Sequence, residues 1–307
     1  MKRRYGILTF AGGPFSEIVE WWRQAEQLGF DSAWLVDTFS YRGLVEYEPW
    51  TLLAALARET SRLRIGTLIT QIAFRHPTLL AAQALTLDHI SAGRLELGIG
   101  TGWPGPDSAA VGTQDWSMAE RVARLAEQLA VLDRLLRGEE VEHVGTFYRA
   151  SGVQLAAPTQ HPRPPFVVAA QAQVTLRLAA QYGDGWNTIG GQPPTDTGLP
   201  RLPLLDAVDR TRRQSERLDE YCRELGRDPA TIRRSLLALR ADPSPLSSVD
   251  AFDEFVGSYA EIGIEEFVFY WPPPASLRRK EPIPADQRAA FERVAAERIT
   301  PARPAAS

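Results

Sequence analysis

Three stretches of the chain carry residue types whose placement suits chemistry. Asp37 follows the apolar run Ala33-Trp34-Leu35-Val36, so its carboxylate stands where a strand gives way to a loop. There it can accept hydrogen bonds from a ring nitrogen or a substrate, although Asp also commonly caps helices and orders loops. Gly100-Thr101-Gly102 places small residues at a second strand end, where a ligand can approach the backbone or the chain can simply turn tightly. Ala169-Ala170-Gln171-Ala172-Gln173-Val174-Thr175 runs from a strand into a helix. Unpaired N–H groups at such a junction can hold a phosphate, a weak signal because every strand-to-helix junction offers some.

Aromatic residues stand near the same strand ends: Phe10, Trp103, Trp186, Tyr270 and Trp271. A mouth lined in this way suits a flat ring system or an apolar substrate; the alternative is that the rings cap a core. Other chemistries lack a signal. The histidines are His76, His89, His143 and His161, and none pairs with another His or a Cys at ligand spacing, so no metal site is expected. No Gly-x-Ser-x-Gly elbow and no Walker loop is present. Cys222, the single cysteine, lies in a polar helical stretch and reads as an incidental helix residue, with no disulfide framework open to it.

The elements that must position these residues alternate between short β-type runs and longer helical patterns, as parallel βα units do. Strands are expected over 5–10, 32–36, 63–70, 95–100, 166–170, 186–189, 231–239 and 265–270. Helices are expected over 16–28, 48–60, from Pro77 to about Gly93, over 117–137, ending at Tyr182, and over 204–225, 250–262 and 285–299. In the first, Ile18, Trp21, Trp22, Ala25 and Leu28 recur at helical spacing and Gly29 suits the left-handed stop. Asp250 and Asp253 stand at a plausible capping spacing. Val141 to Leu155 reads as short antiparallel strands turning at Gly145, a small insertion after the fourth strand–helix unit. Eight strands and eight major helices in 307 residues fit one (β/α)8 barrel domain spanning 1–307. A doubly wound sheet fits less well, because no phosphate fingerprint follows the first strand.

In a barrel the site lies where strands end, which selects Phe10, Asp37, Ile69 to Ile72, Thr101 to Trp103, Ala170 to Thr175, Trp186-Asn187, Arg240 and Tyr270-Trp271. With 44% hydrophobic and 23% charged residues the composition is that of an ordinary soluble globular protein. A formal net charge of -4 is too small to suggest a nucleic-acid or membrane-surface partner. No apolar stretch reaches membrane-spanning length and the first apolar run is too short for a secretory core, so a cytoplasmic location is expected.

Several of these stretches resemble the bacterial luciferase-like flavin and deazaflavin oxidoreductases. They are Leu28 to Asp37, Arg64-Ile65-Gly66-Thr67, Phe74-Arg75-His76-Pro77, Leu87 to Trp103, Pro164 to Ala169 and Ala179 to Asn187. The resemblance covers about Tyr5 to Asn187 and returns weakly at Gly263 to Tyr270. It implies a (β/α)8 barrel that binds FMN or the deazaflavin F420 at the strand C-termini. Asp37 would be the acid near the ring edge, and Leu68-Ile69 a bulge behind the ring, often with a non-proline cis peptide. Thr101 and Gly102 would touch the ring or its side chain, and Gln171, Ala172 and Thr175 would belong to the phosphate loop. Many relatives carry a histidine directly after the strand-two acid; here the residue is Thr38. A threonine hydroxyl does not titrate near neutrality, so the acid/base role stays open, with His76 the nearest histidine at a family position or merely an ordered loop residue.

The resemblance therefore implies an oxidoreductase or monooxygenase that uses reduced F420, slightly favoured by Gly-Ile-Gly-Thr-Gly, or FMN, on a small, partly apolar substrate. Phe10, Trp103, Trp186, Tyr270 and Trp271 would shape the substrate side. A homodimer, and a separate reductase for the cofactor, are implied partners. A non-catalytic flavin-binding protein on the same fold and a cofactor-free barrel hydrolase or isomerase remain open.

Overall fold

The computed structural model describes residues 3–40, 46–103, 105–113, 116–194, 198–239, 241–272 and 283–302; Arg240, expected at the mouth, lies outside them. The first half runs β1 (Arg4–Thr9), α1 (Phe15–Gln27), β2 (Ser32–Leu35), α2 (Pro49–Glu59), β3 (Arg64–Thr67), β4 (Thr70–Gln71), α3 (Pro77–Ile90), β5 (Leu97–Gly100), α4 (Pro106–Ala110) and α5 (Met118–Leu136). The second half runs β6 (Val141–Val144), β7 (Arg149–Val153), β8 (Phe166–Ala169), α6 (Gln173–Tyr182), β9 (Gly185–Thr188), α7 (Leu204–Glu224), β10 (Arg233–Leu237), α8 (Val249–Ala260), β11 (Glu266–Tyr270) and α9 (Ala285–Val294).

The sheet order is β3-β2-β1-β11-β10-β9-β8-β5-β4. β3 and β4 are two halves of one strand path, so the list returns on itself, and an Ile65–Leu95 bridge joins β3 to the start of the β5 path. The result is the expected barrel of parallel strands with helices outside. The third strand is not continuous as expected: the Leu68–Ile69 peptide is cis and divides it. The insertion is the antiparallel β6–β7 hairpin, closed by the Gly145 N–H on the Tyr148 carbonyl (3.0 Å). Among the described residues no helix is long and apolar enough to cross a membrane.

Local chemistry accounts for the helix ends. α1 buries Ile18, Val19, Trp21, Trp22 and Ala25 on one face. It stops where Gly29 takes φ +96°, and the Phe30 N–H reaches back to the Ala25 carbonyl (3.0 Å). α3 starts on Pro77, with the His76 ring nitrogen accepting the Thr78 N–H (3.2 Å). The cap of α8 is Ser248, whose Oγ accepts the Ala251 N–H (3.1 Å), and not the expected Asp250/Asp253 pair; Asp253 instead binds Arg298 on the surface.

Alternation along the strands sorts side chains to two sides of the sheet. Outside, Tyr5, Ile7, Leu35, Ile65, Ile99, Phe166, Val168, Phe267 and Phe269 join the helices in one core. Inside, Leu8, Phe10, Trp34, Val36, Leu68, Val167, Leu237 and Val268 form a second cluster. Trp34 fills the middle of the barrel because glycines face it: a Cβ on Gly66 would lie 3.0 Å from the Trp34 ring and 2.0 Å from the Glu96 carbonyl oxygen. Below it, at the strand starts, lie Glu96 and Glu266 with Arg4, Arg64 and Arg233.

Candidate active site

Loops after β1, β2, β4 and β5 meet over the C-terminal end of the barrel, and Asp37 ties three of them together. Its Oδ2 accepts the Gln71 N–H (2.9 Å) and the Arg75 Nη1 (2.7 Å), and its Oδ1 accepts the Arg75 Nη2 (3.0 Å). Gln71 returns a bond to the Asp37 carbonyl (2.7 Å), and its Oε1 accepts the Trp103 N–H (3.4 Å). Burial pushes the Asp37 carboxyl up, against Arg75 and the Gln71 amide. Burial also pulls the Arg75 guanidinium down, but Asp37 and Glu48 more than reverse this. Two-point contact is the geometry of an ionised pair, the form we assign here. The acid expected at a ring edge is thus fully buried with both oxygens engaged, and it anchors β2 to β4 and to the entry of α3.

Beside this anchor the floor of the mouth is apolar. Leu68 belongs to the inner cluster, and Ile69, Trp103, Leu239 and Tyr270 pack against it. Phe10 and Tyr270 stack with centroids 5.8 Å apart. The β5 exit carries no side chain facing the bulge: a Cβ on Gly100 would lie 2.6 Å from Ile69 Cδ1. Gly102 has φ +66° and a Cβ there would lie 2.7 Å from Gln71 Oε1, so Gly is required by both conformation and space. Ile69 packs directly on Gly100, so the bulge and the β5 exit form one apolar floor at the strand ends, the kind of surface a flat ring can lie on. The Thr101 carbonyl accepts from Arg121 (3.4 Å).

At the β8–α6 junction, the Thr175 hydroxyl accepts the Ala172 N–H (3.2 Å) and donates to the Ala172 carbonyl (2.9 Å). The Gln171 carbonyl accepts from Gln214 of α7 (3.0 Å), and its side-chain Oε1 accepts from Thr188 (3.2 Å). Thr175 therefore shapes the loop, and the first-turn amides of α6 are the groups suited to an anion.

Two expected mouth residues face elsewhere. Trp186 is fully buried in the outer core and its Nε1 donates to the Ala170 carbonyl (2.8 Å). Trp271 also lies in the outer core, stacked on Phe291 of α9 at 3.8 Å. Both alternate with inward residues, Asn187 and Tyr270, so the strand register sends their rings to the helices. His76 is exposed at the start of α3 and stands edge-on to Tyr148 (5.6 Å); it does not join Asp37 and Thr38.

Thr38 does have an acidic partner that sequence reasoning missed. Its hydroxyl donates to Glu46, a buried acid at the far end of the same loop. Asp107 of α4 is also buried and accepts the Phe39 N–H (3.1 Å). Burial, opposed by the Thr38 bond and reinforced by Asp107, raises the Glu46 carboxyl to about 7. Arg75 had a signal in the Phe74-Arg75-His76-Pro77 motif, whereas Glu46 and Asp107 had none.

A parallel barrel whose strand C-termini carry an apolar floor and a ring of loops has the architecture of a βα-barrel enzyme. A family model of the luciferase-like monooxygenases matches residues 4–241, and the chain belongs to that family. It is 33% identical over 235 residues to an F420-dependent glucose-6-phosphate dehydrogenase of Segniliparus rotundus, covering 75% of this chain and 66% of that one. It is 29% identical to a 4-hydroxyprotoasukamycin monooxygenase of Streptomyces nodosus, covering 85% of this chain and 67% of that one. In fold it is similar to an F420-dependent secondary alcohol dehydrogenase (TM-score 0.75, 18% identity, 97% of this chain and 100% of the other).

Proposed function

We propose that this protein is an F420-dependent oxidoreductase that transfers hydride to or from a small, partly apolar organic substrate. The carrying observation is the apolar floor at the strand ends, where Ile69 packs directly on Gly100 and Phe10 stacks on Tyr270, a surface that suits a flat ring laid against it. Sequence relatives favour the deazaflavin over FMN, since F420-dependent dehydrogenases recur among them at 33% and 34% identity. A bound deazaflavin would supply a carbon centre that accepts or gives hydride.

The chain's own residues would bind and orient. Asp37, through Arg75 and Gln71, holds the β4 exit in place. The α6 first-turn amides suit a phosphate. Phe10, Trp103 and Tyr270 form an apolar wall that excludes water from the reacting carbon. Titration of the purified protein with F420 and with FMN, read by fluorescence, tests this. Binding of F420 alone is expected. Tight binding of FMN alone moves the protein to the oxygenating branch, which the monooxygenase relative also represents. Binding of neither sinks the reading, and binding without turnover of any substrate leaves a storage protein.

A further inference from the structure

Beside the apolar floor lies a second space. A cavity of about 160 Å3 stands between the segment after β9, the end of β10 and the first half of α8. Leu237 and Leu239 line its inner side. Leu237 belongs to the inner cluster, and Leu239 packs against that cluster as Ile69, Trp103 and Tyr270 do, so one wall serves both the floor and the cavity. Leu202 and Leu204 close the space from the α7 side, and Phe255 of α8 closes it from the other. Phe255 is held against Tyr259, with ring centroids 5.0 Å apart.

The polar side chains around this space already have partners. The Tyr259 hydroxyl donates to the Gly190 carbonyl (2.7 Å). Gln192 is engaged at both ends by one residue: its Nε2 donates to the Leu202 carbonyl and its Oε1 accepts the Leu202 N–H, each at 2.9 Å. At the rim, Arg201 donates to the Asp242 carbonyl (2.9 Å) and pairs with the Asp242 carboxylate (3.1 Å). Glu254 also lines the cavity, so among the described residues one cation stands against two carboxylates. A ligand that bonded to Tyr259 or Gln192 would have to break a bond for each one it made. An anion would meet Asp242 and Glu254. An apolar group needs no polar partner, and its burial is favourable without one. Size narrows the ligand further: a cavity of about 150 Å3 with aliphatic and aromatic walls takes a benzene-sized ring.

We propose that this cavity is a specificity subsite for the part of the substrate remote from the reacting carbon, and that it takes an uncharged apolar group of about six carbons, a ring or a branched chain. That the occupant is substrate rests on the F420 reading above; that it is neutral and ring-sized rests on the cavity alone. Substrate reaching across the Leu237–Leu239 wall would then be held at two points, its reacting end over the floor and its remote group in the cavity.

The test uses the full chain, toluene and benzoate as probes of equal size and different charge, and two variants. Ala251→Phe fills the cavity from α8, at a residue outside the inner cluster, and Leu204→Ala widens it. Methyl NMR of leucine-labelled protein is expected to show toluene shifting the methyls of Leu202, Leu204, Leu237 and Leu239. Benzoate is expected to bind at least about tenfold more weakly than toluene, and Ala251→Phe to weaken toluene by about tenfold or more. Leu204→Ala is expected to bind naphthalene about threefold more tightly than wild type does. F420 affinity, read by fluorescence, is expected to stay within about threefold of wild type in both variants, and toluene to remain bound when F420 is added. Toluene is also expected to raise the KM of a turned-over substrate without lowering kcat. Toluene that leaves the cavity leucines unmoved, or benzoate that binds more tightly than toluene, overturns the proposal. So does displacement of toluene by F420, which would give the cavity to the cofactor, and so does inhibition that lowers kcat alone. If Ala251→Phe does not fold, naphthalene binding to Leu204→Ala decides, and affinity no better than wild type overturns the site. Failure to bind F420 sinks the earlier reading instead, and the toluene and benzoate shifts still decide what the cavity takes.

Discussion

Glu96 at the base of the barrel and Glu46 at its mouth are acids buried to 1% and 8% exposure, and they stand in opposite electrical states. Burial alone would raise Glu96, but Arg233, Arg4 and Arg64 together bring it down to about 2. Arg64 meets it at 2.7 Å and Arg4 at 3.1 Å, and Arg233 also binds Glu266 at 2.8 Å. At Glu46, burial meets one hydroxyl and a second carboxyl, and the group rises to about 7. The same side chain under similar burial becomes a fixed anion or a proton store according to whether cations are buried with it. Asp37 shows that the contrast is not simply one of depth, for it sits at the mouth yet has a guanidinium of its own. Of these three acids Glu46 is the one with a buried oxygen left without a hydrogen bond among the described residues.

The strongest way to break this contrast is at the base. Glu96→Gln takes the carboxylate from Arg64 and leaves Arg4 and Arg233 with Glu266 alone, and removal of one partner from a buried ion network costs about 3–5 kcal/mol. Urea denaturation should show that loss; one below about 1 kcal/mol would mean that the base network is no firmer than a surface ion pair. The mouth should respond in the opposite sense. The Glu46 carboxyl rises from 4.5 in the unfolded chain to about 7 in the fold, so the native state holds the proton more tightly. Its contribution is full below the unfolded value and is lost as pH rises through the folded one. The difference between the two values corresponds to roughly 3 kcal/mol at most. Glu46→Gln should therefore match wild type in acid and exceed it by up to that amount in alkali. Parallel stability curves across this range would remove the contrast.

Much of the barrel was legible because its strands are short apolar runs separated by amphipathic helices. The break at Leu68–Ile69 was legible only through resemblance, since two aliphatic residues in a strand carry no local mark of it. Nearness to a strand end located Trp186 and Trp271, but a one-residue step in an alternating strand decides which face a ring takes. Asp37 was legible as an acid at a strand end, while its bidentate partner Arg75 lies 38 residues away and across a loop. Glu46 and Asp107 were not legible: they sit in loop and short-helix sequence without periodicity, and only folding brings the Phe39 and Asp107 segments together over a separation of 68 residues.

A smaller effect sharpens the apolar half of the mouth. In Gly100→Ala the new methyl must displace the Ile69 side-chain end, which it would approach to 2.6 Å. That crowding should cost about 2 kcal/mol in stability. It should also weaken F420 binding about tenfold in the same fluorescence titration, equivalent to about 1.4 kcal/mol. Unchanged affinity would place the ring away from this floor.

The smallest effect should come from the ring on the other side of the sheet. Trp186→Phe removes the Nε1 bond to the Ala170 carbonyl (2.8 Å) but leaves an apolar ring in the outer core. One lost buried hydrogen bond is worth about 1 kcal/mol, and thermal or urea unfolding should register it. Neither F420 affinity nor the KM for a turned-over substrate should move, because strand alternation turns Trp186 away from the space that Phe10 and Tyr270 share. A change in KM without a change in stability would bring Trp186 back to the substrate side. It would also show that the mouth extends through the gap between β8 and β9, which the ladder Val167–Gly185, Val168–Trp186 and Ala169–Asn187 now closes.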